Sequence, residues 1–173
     1  MDRKQDEKIN IFLTGPKGVG KSTIVGRVME DFISLSGGFL TWFSGDRKAP
    51  DRCLYISDLN KKTARAAVKF KDGRPSPDPS AFDDFGAELV SSGGRLLIMD
   101  ELGRFEAGCP RFHEAVIRAL DSRTPVLGVV QLSAKSWLDE LSSRPDTEII
   151  HVTAENRNLL ALELADRIRK MLG

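Results

Sequence analysis

The chain lacks most of what would mark an exported or membrane protein. Only two of its 173 residues are cysteines. They are Cys53 and Cys109, and they form no metal-ligand pair, so a reducing, cytoplasmic setting is expected. No signal peptide is expected at its start, and no apolar run is long enough to cross a bilayer. An excess of one charge is missing too: 26 basic residues face 25 acidic ones, leaving a net charge of +1. That balance gives no support for bulk nucleic-acid or membrane binding, although it leaves room for a local patch. The two histidines, His113 and His151, read as ordinary helix and strand residues rather than ligands. Internal repeats and low-complexity tracts are absent. What remains is an ordinary globular composition, 40% hydrophobic and 29% charged, long enough for one domain over residues 1–173.

Against this plain background one run stands out: Gly15-Pro16-Lys17-Gly18-Val19-Gly20-Lys21-Ser22. It fits G-x-x-x-x-G-K-[ST], a loop whose backbone N–H groups wrap nucleotide phosphates. With average glycine usage, a match in a chain this long arises by chance on the order of 1% of the time. The flanks lower that further. Ile9-Asn10-Ile11-Phe12-Leu13-Thr14 reads as a buried strand, and Thr23 to Ile33 places its apolar residues at helical spacing. Strand, glycine loop and helix form the arrangement that the motif needs.

Further along, Gly37-Gly38 is expected to stop the first helix, with Phe39–Phe43 as a second strand and 44–52 as a charged loop. Cys53–Ile56 and Ala66–Phe70 suggest a hairpin. Lys71 to Pro79 carries three prolines and reads as a mobile loop without regular structure. Ser80 is expected to cap a helix running to about Ser91, with Phe82, Phe85, Leu89 and Val90 on one face. The second half alternates. Strands are predicted over 95–100, 125–131 and 148–152, and helices over 109–122, 133–141 and 156–172. The last helix carries Leu159, Leu160, Leu162, Leu164, Ile168 and Met171 as core material. Continuous apolar strands separated by helices imply an α/β fold: a doubly wound, mainly parallel sheet with helices on both faces.

The chemistry follows from the residue types. Gly15, Gly18 and Gly20 let the backbone form a concave nest. The amides of Gly18 through Ser22 then point at phosphate oxygens, with the positive end of a helix dipole behind them. The nucleotide-binding loop thus runs Gly15, Pro16, Lys17, Gly18, Val19, Gly20, Lys21, Ser22 and Thr23. Lys21 is the point charge for the β- and γ-phosphates, Ser22 supplies a hydroxyl to Mg²⁺, and Thr23 is a candidate for the α-phosphate. Asp100-Glu101 closes an apolar strand at the edge where open α/β sheets bind ligands. Alone, such a pair equally describes a solvated strand end. Beside a phosphate loop, Asp100 becomes the second Mg²⁺ residue and Glu101 the group that orients or deprotonates water. Lys21 and Glu101 are therefore the catalytic candidates.

These motifs together resemble the small thermophilic-type nucleoside triphosphatases, a family with bacterial, archaeal and human members. Asp100-Glu101-Leu102-Gly103-Arg104-Phe105-Glu106 is similar to the family's D-E-[IL]-G-[KR]-[MF]-E signature. Gly38-Phe39-Leu40-Thr41, Phe112, Val126-Leu127-Gly128 and Val152-Thr153-Ala154-Glu155-Asn156-Arg157 extend the likeness over nearly the whole chain. It is weakest between Trp42 and Ala81, and Ser44 to Asp51 holds less glycine and arginine than the family pattern. The resemblance implies a P-loop, RecA-like sheet, Mg²⁺-dependent hydrolysis of nucleoside triphosphates with loose base selectivity, and Glu101 as the catalytic residue. Arg157 fits the family's N-R pair and is a nucleotide-site candidate or a structural salt bridge, while Asn156 is a cap candidate. Arg104 and Arg111 are candidates for stabilising the γ-phosphoryl group, with solvated surface arginines as the competing reading. Gln131 is a candidate for positioning water. Trp42 and Trp137 read as packing groups.

Two rivals share the loop. A nucleotide or small-metabolite kinase needs an acceptor pocket and a lid, for which the basic 44–75 region is a candidate. A slow nucleotide-binding switch or ATPase subunit needs a protein partner. No N-K-x-D run, the guanine-reading motif of Ras-type GTPases, is present.

Overall fold

Three strands that are buried along their whole length or nearly so set the architecture, because an element that exposes neither face must be covered from both sides. The computed structural model describes residues 8–173, so the charged lead-in expected over 1–7 lies outside the described residues. The chain runs β1 (Asn10–Thr14), α1 (Lys21–Phe32), β2 (Ser36–Ser44), β3 (Arg52–Ser57), β4 (Ala64–Lys71), β5 (Arg74–Pro77), α2 (Ala87–Val90), β6 (Leu96–Leu102), α3 (Pro110–Asp121), β7 (Val126–Val130), α4 (Lys135–Ser142), β8 (Thr147–His151) and α5 (Arg157–Leu172). All eight strands form one sheet in the order β5-β4-β3-β2-β6-β7-β1-β8. Strands β2, β6, β7, β1 and β8 are parallel, whereas β3, β4 and β5 continue the sheet antiparallel. Among the described residues, no helix is long and apolar enough to cross a membrane.

Period-two alternation sorts the core into two layers. Phe12, Leu97 and Met99 point to one face, where they meet Phe112, Val116 and Leu120 of α3 and Trp137 of α4. Ile11, Leu13, Leu96 and Ile98 point to the other, against Ile24, Val25 and Val28 of α1 and Leu160, Leu164 and Ile168 of α5. The same parity puts Asp100 on the α1 side. Gly128 makes the layering possible at β7, since a Cβ there would lie 2.4 Å from the Phe12 ring.

Several expectations are corrected. Gly37 and Gly38 do not end α1 but lie inside β2, where added Cβ atoms would fall 1.8 Å from the Gly93 oxygen and 1.9 Å from the Ile98 oxygen. Helix α1 tightens into a 3-10 turn at Ile33–Leu35, and the Ser36 hydroxyl donates to the freed Phe32 carbonyl at 2.8 Å. Residues 71–79 are not structureless: Arg74–Pro77 is an edge strand. Asp72 and Gly73, with φ of 50° and 75°, make the two-residue turn that hairpins favour. In that register Phe70 opposes Pro75 and Val68 opposes Pro77. Both prolines thus occupy non-hydrogen-bonded pairs, where a missing N–H costs the ladder nothing.

The Ser80 cap is also absent. Ser80 donates instead to Asp78, and Ala81–Gly86 winds as a π-helical turn before α2. On α5, Leu159 and Leu162 are 63% and 70% exposed. They lie off the 160/161/164/165/168 stripe that faces the sheet.

Candidate active site

The glycine loop leaves β1 at the C-terminal edge of the parallel strands and enters α1 at Lys21. Gly15, Gly18 and Gly20 have φ of 146°, 76° and 111°, a region side-chain-bearing residues avoid. At Gly15 crowding adds to this, because a Cβ would lie 2.8 Å from the Val152 oxygen. Lys21 is the buried cation of the loop, with only 8% of its surface exposed. Its ammonium donates to the Gly15 and Pro16 carbonyls, each at 2.8 Å. Burial lowers its pKa, while the nearby Glu101 and Asp100 carboxylates oppose that shift. Ser22 and Thr23 stand exposed on the first turn of α1, and Pro16, Lys17 and Gly18 are exposed at the loop's crest.

Strand β7 separates the loop strand β1 from β6. The gap is closed from above by the start of α1: the Ser22 hydroxyl donates to Asp100 Oδ1 at 3.1 Å, bringing together residues 78 positions apart. Asp100 is 6% exposed. Burial first, and the neighbouring Glu101 second, push its carboxyl up to about 7, against the hydrogen bond from Ser22 and the charges of Arg47 and Lys21.

Glu101 sits where the β6–β7 ladder slips: Asp100 pairs with Val129 and Leu102 with Val130, leaving Glu101 without a partner. Such bulges re-aim a side chain. The Glu101 N–H donates to Thr41 Oγ1 at 3.2 Å, and Gln131 Nε2 donates to Glu101 Oε1 at 2.5 Å. Gly103 leaves the room that Gln131 occupies, since a Cβ there would lie 2.9 Å from the amide oxygen.

Two residues that sequence reasoning did not single out join this group. Glu106 is 3% exposed and accepts a hydrogen bond from the Gly103 N–H, closing the turn after Glu101. Burial lifts its carboxyl to about 7. Arg47, from the loop between β2 and β3, lines a cleft with Thr41, Phe43, Glu101, Glu106 and Gln131. The only sequence signal for Arg47 was a charged loop, and for Glu106 its place in the 100–106 run.

The remaining candidates are dispersed. Arg157 reaches the loop from α5, its guanidinium 3.5 Å from the Val19 carbonyl and its Cδ 3.9 Å from where a Gly20 Cβ would sit, with no carboxylate partner among the described residues. Asn156 does not cap α5 in the simple sense. Thr153 N–H donates to Asn156 Oδ1 at 2.8 Å and Asn156 N–H to Thr153 Oγ1 at 3.3 Å, a reciprocal box in which Thr153 is the cap. Arg111 pairs with Asp84 at 2.6 Å, and Arg104 lies over the Phe105 ring at 4.9 Å. His113 pairs with Glu140 at 2.7 Å. Trp137 is buried, and Trp42 stacks on Tyr55 at 4.7 Å.

A glycine cradle opening a helix, and an acidic strand end two strands away in a β8-β1-β7-β6-β2 parallel order, define the P-loop NTPase fold, RecA-like in its arrangement. Known proteins narrow the class. Residues 10–165 match the family model described as NTPase, and the chain belongs to that family. Nucleoside-triphosphatase THEP1 of Natranaerobius thermophilus is 31% identical over 176 residues, spanning 94% of this chain and 98% of that protein. The crystal structure of THEP1 from the hyperthermophile Aquifex aeolicus matches with a TM-score of 0.76 at 20% identity, over 90% of this chain and 96% of the other. The solution structure of a human cancer-related nucleoside triphosphatase matches with a TM-score of 0.74 at 22% identity, over 93% and 97%. The last two establish a shared fold. The likeness read from the 100–106 run and its companions is borne out.

Proposed function

We propose that this chain is a single-domain, Mg²⁺-dependent nucleoside triphosphatase that cleaves the γ-phosphate with loose base selectivity. Its relative from Natranaerobius thermophilus is named for that class of activity. The observation that carries the reading is the Ser22–Asp100 contact at 3.1 Å beside a buried Lys21 and a Glu101 held by Gln131. The donor set suits Mg²⁺. Ser22 and Asp100 bring a hydroxyl and a carboxylate oxygen within 3.1 Å of each other, hard oxygen donors of the kind that this ion takes. A site with so few protein ligands would suit an ion that keeps phosphate and water among its ligands. Ser22 and Asp100 would hold the ion, which would supply positive charge against the triphosphate.

The protein's own groups do the rest. Loop amides from Gly18 to Ser22 and the ammonium of Lys21 hold the triphosphate, with Gly15, Pro16, Lys17 and Thr23 completing the cradle and Arg157 covering its outer side. The Lys21 ammonium, now donating to two carbonyls, would donate to phosphate oxygens instead. Glu101, fixed by Gln131 and Thr41, orients a water and accepts its proton as the water oxygen bonds to phosphorus and the bridging P–O bond breaks. The products are a nucleoside diphosphate and inorganic phosphate. Recognition through backbone and phosphate leaves the base unread, which supports the loose selectivity. A cytoplasmic setting is supported by two free thiols, of which buried Cys109 is pushed up to about 11 by its surroundings.

Product analysis with γ-labelled triphosphate tests the reaction. Free phosphate from ATP, GTP, CTP and UTP alike, dependent on Mg²⁺, is expected. Label on an added acceptor instead of free phosphate would make the chain a kinase.

A further inference from the structure

Phosphoryl transfer gathers charge on the γ-oxygens, and enzymes of this class meet it with a cation beyond the loop lysine. Four arginines come into consideration. Arg111 is committed to Asp84 at 2.6 Å, and its N–H to Asp83 at 2.9 Å. Arg104 follows the turn after Glu101 and rests on Phe105. Arg157 stands on the α5 side of the loop, over Val19 and Gly20.

Arg47 differs from all three. It stands on the short loop between β2 and β3, whose tip is fixed by Asp46: Lys48 N–H donates to Oδ1 at 2.8 Å and Ala49 N–H to the carbonyl at 3.1 Å. Its guanidinium lies over Phe43 at 5.5 Å, and Arg52, anchored on the Ala49 carbonyl at 2.9 Å, lies over the same ring at 5.5 Å. Phe43 therefore serves as a platform rather than a free surface ring. Among the described residues, no carboxylate is within ion-pair distance of Arg47, although Glu101 and Glu106 share its cleft. A cation that lines a cleft with two acids and pairs with neither keeps its donors available.

We propose that Arg47 is the residue of this chain that reaches over Glu101 to stabilise the γ-phosphoryl group in the transition state, acting in cis as an arginine finger. This rests on the hydrolase reading above. Arg47 lines one cleft with Glu101 and Gln131, so its guanidinium stands beside the groups assigned to the attacking water. The planar guanidinium matters, because two oxygens of a phosphoryl group can be held at once.

The test compares Arg47→Ala, Arg47→Lys, Arg111→Ala and Glu101→Gln in the full chain. Arg47→Ala is expected to lower kcat about 100-fold or more while KM for ATP changes less than about threefold. Binding of ADP with aluminium fluoride and Mg²⁺, a mimic of the transferring phosphoryl group, should weaken by a similar factor, with ADP binding unchanged. Added guanidinium ion should restore part of the rate, Arg47→Lys should recover little of it, and Arg111→Ala should match wild type. Wild-type kcat in Arg47→Ala beside an inactive Glu101→Gln would overturn the proposal and leave the hydrolase reading standing. Equal losses of ADP and ADP–aluminium fluoride binding would also overturn it. Wild-type turnover in Glu101→Gln would instead remove the hydrolase reading itself.

Discussion

The two halves of this sheet solve the same problem under opposite constraints. In the parallel half, β1, β6 and β7 are buried on both faces, so polar groups are driven to the strand ends. Thr14, Asp100, Glu101 and Gln131 all lie there, and the site is the consequence. In the antiparallel extension, β4 sets exposed Lys69 and Lys71 against buried Val68 and Phe70, and β5 is exposed throughout. One face of that extension is open to water. Its order comes from a two-residue turn and a tolerant edge. The extension's contribution to chemistry is a single loop, the one bearing Arg47.

The largest effect expected from this contrast is at the cradle. Lys21→Ala should weaken ATP binding by roughly 100-fold, about 3 kcal/mol for charge-assisted bonds lost in a buried setting. Titration calorimetry with ATP measures it, and unchanged affinity would detach the parallel edge from nucleotide binding. Next comes one substitution made in each half. Gly128→Ala forces a methyl to 2.4 Å from Phe12 and should cost about 2–3 kcal/mol in denaturant unfolding. Gly73→Ala meets no atom within 4 Å and carries only the cost of its φ of 75°, about 1 kcal/mol, with turnover unchanged. Equal losses would erase the distinction between the halves.

Between these two lies Glu106→Gln. Burial holds the folded Glu106 carboxyl near 7 against an ordinary 4.5, so between those values the native state keeps a proton that the unfolded chain releases. Its contribution to stability is therefore full below about pH 4.5 and is lost as pH rises through about 7. The variant, which can still accept from Gly103, should gain roughly 2 kcal/mol on wild type above pH 7 and nothing at pH 4. Urea midpoints across pH 4–8 decide it, and parallel curves would refute the assignment.

How much of this was legible in the chain divides along the same line. The loop 15–22 and the Asp100-Glu101 pair could be read from their motifs, and β1, β6 and β7 because burial on both faces leaves an uninterrupted apolar run. The extension was harder, since prolines mean loop unless the register that spares their N–H groups is known. Gly37 and Gly38 misled for a related reason: a glycine demanded by the approach of the Gly93 and Ile98 carbonyls looks no different from one that ends a helix. Arg47 left no signal of its own, because its value comes from Phe43 and Glu101 being placed beneath it by three strands. Thr153 and Asn156 show the reverse, a capping box written openly in the sequence with asparagine standing where glutamate is usual.

The central claim is that triphosphate rests on one element while a residue on another drives its hydrolysis. Glu101→Gln separates the two. With Mg²⁺ and γ-labelled ATP, filter binding should show wild-type affinity while single-turnover release of phosphate falls at least about 100-fold, the scale of a lost general base. Release at the wild-type rate would contradict the account.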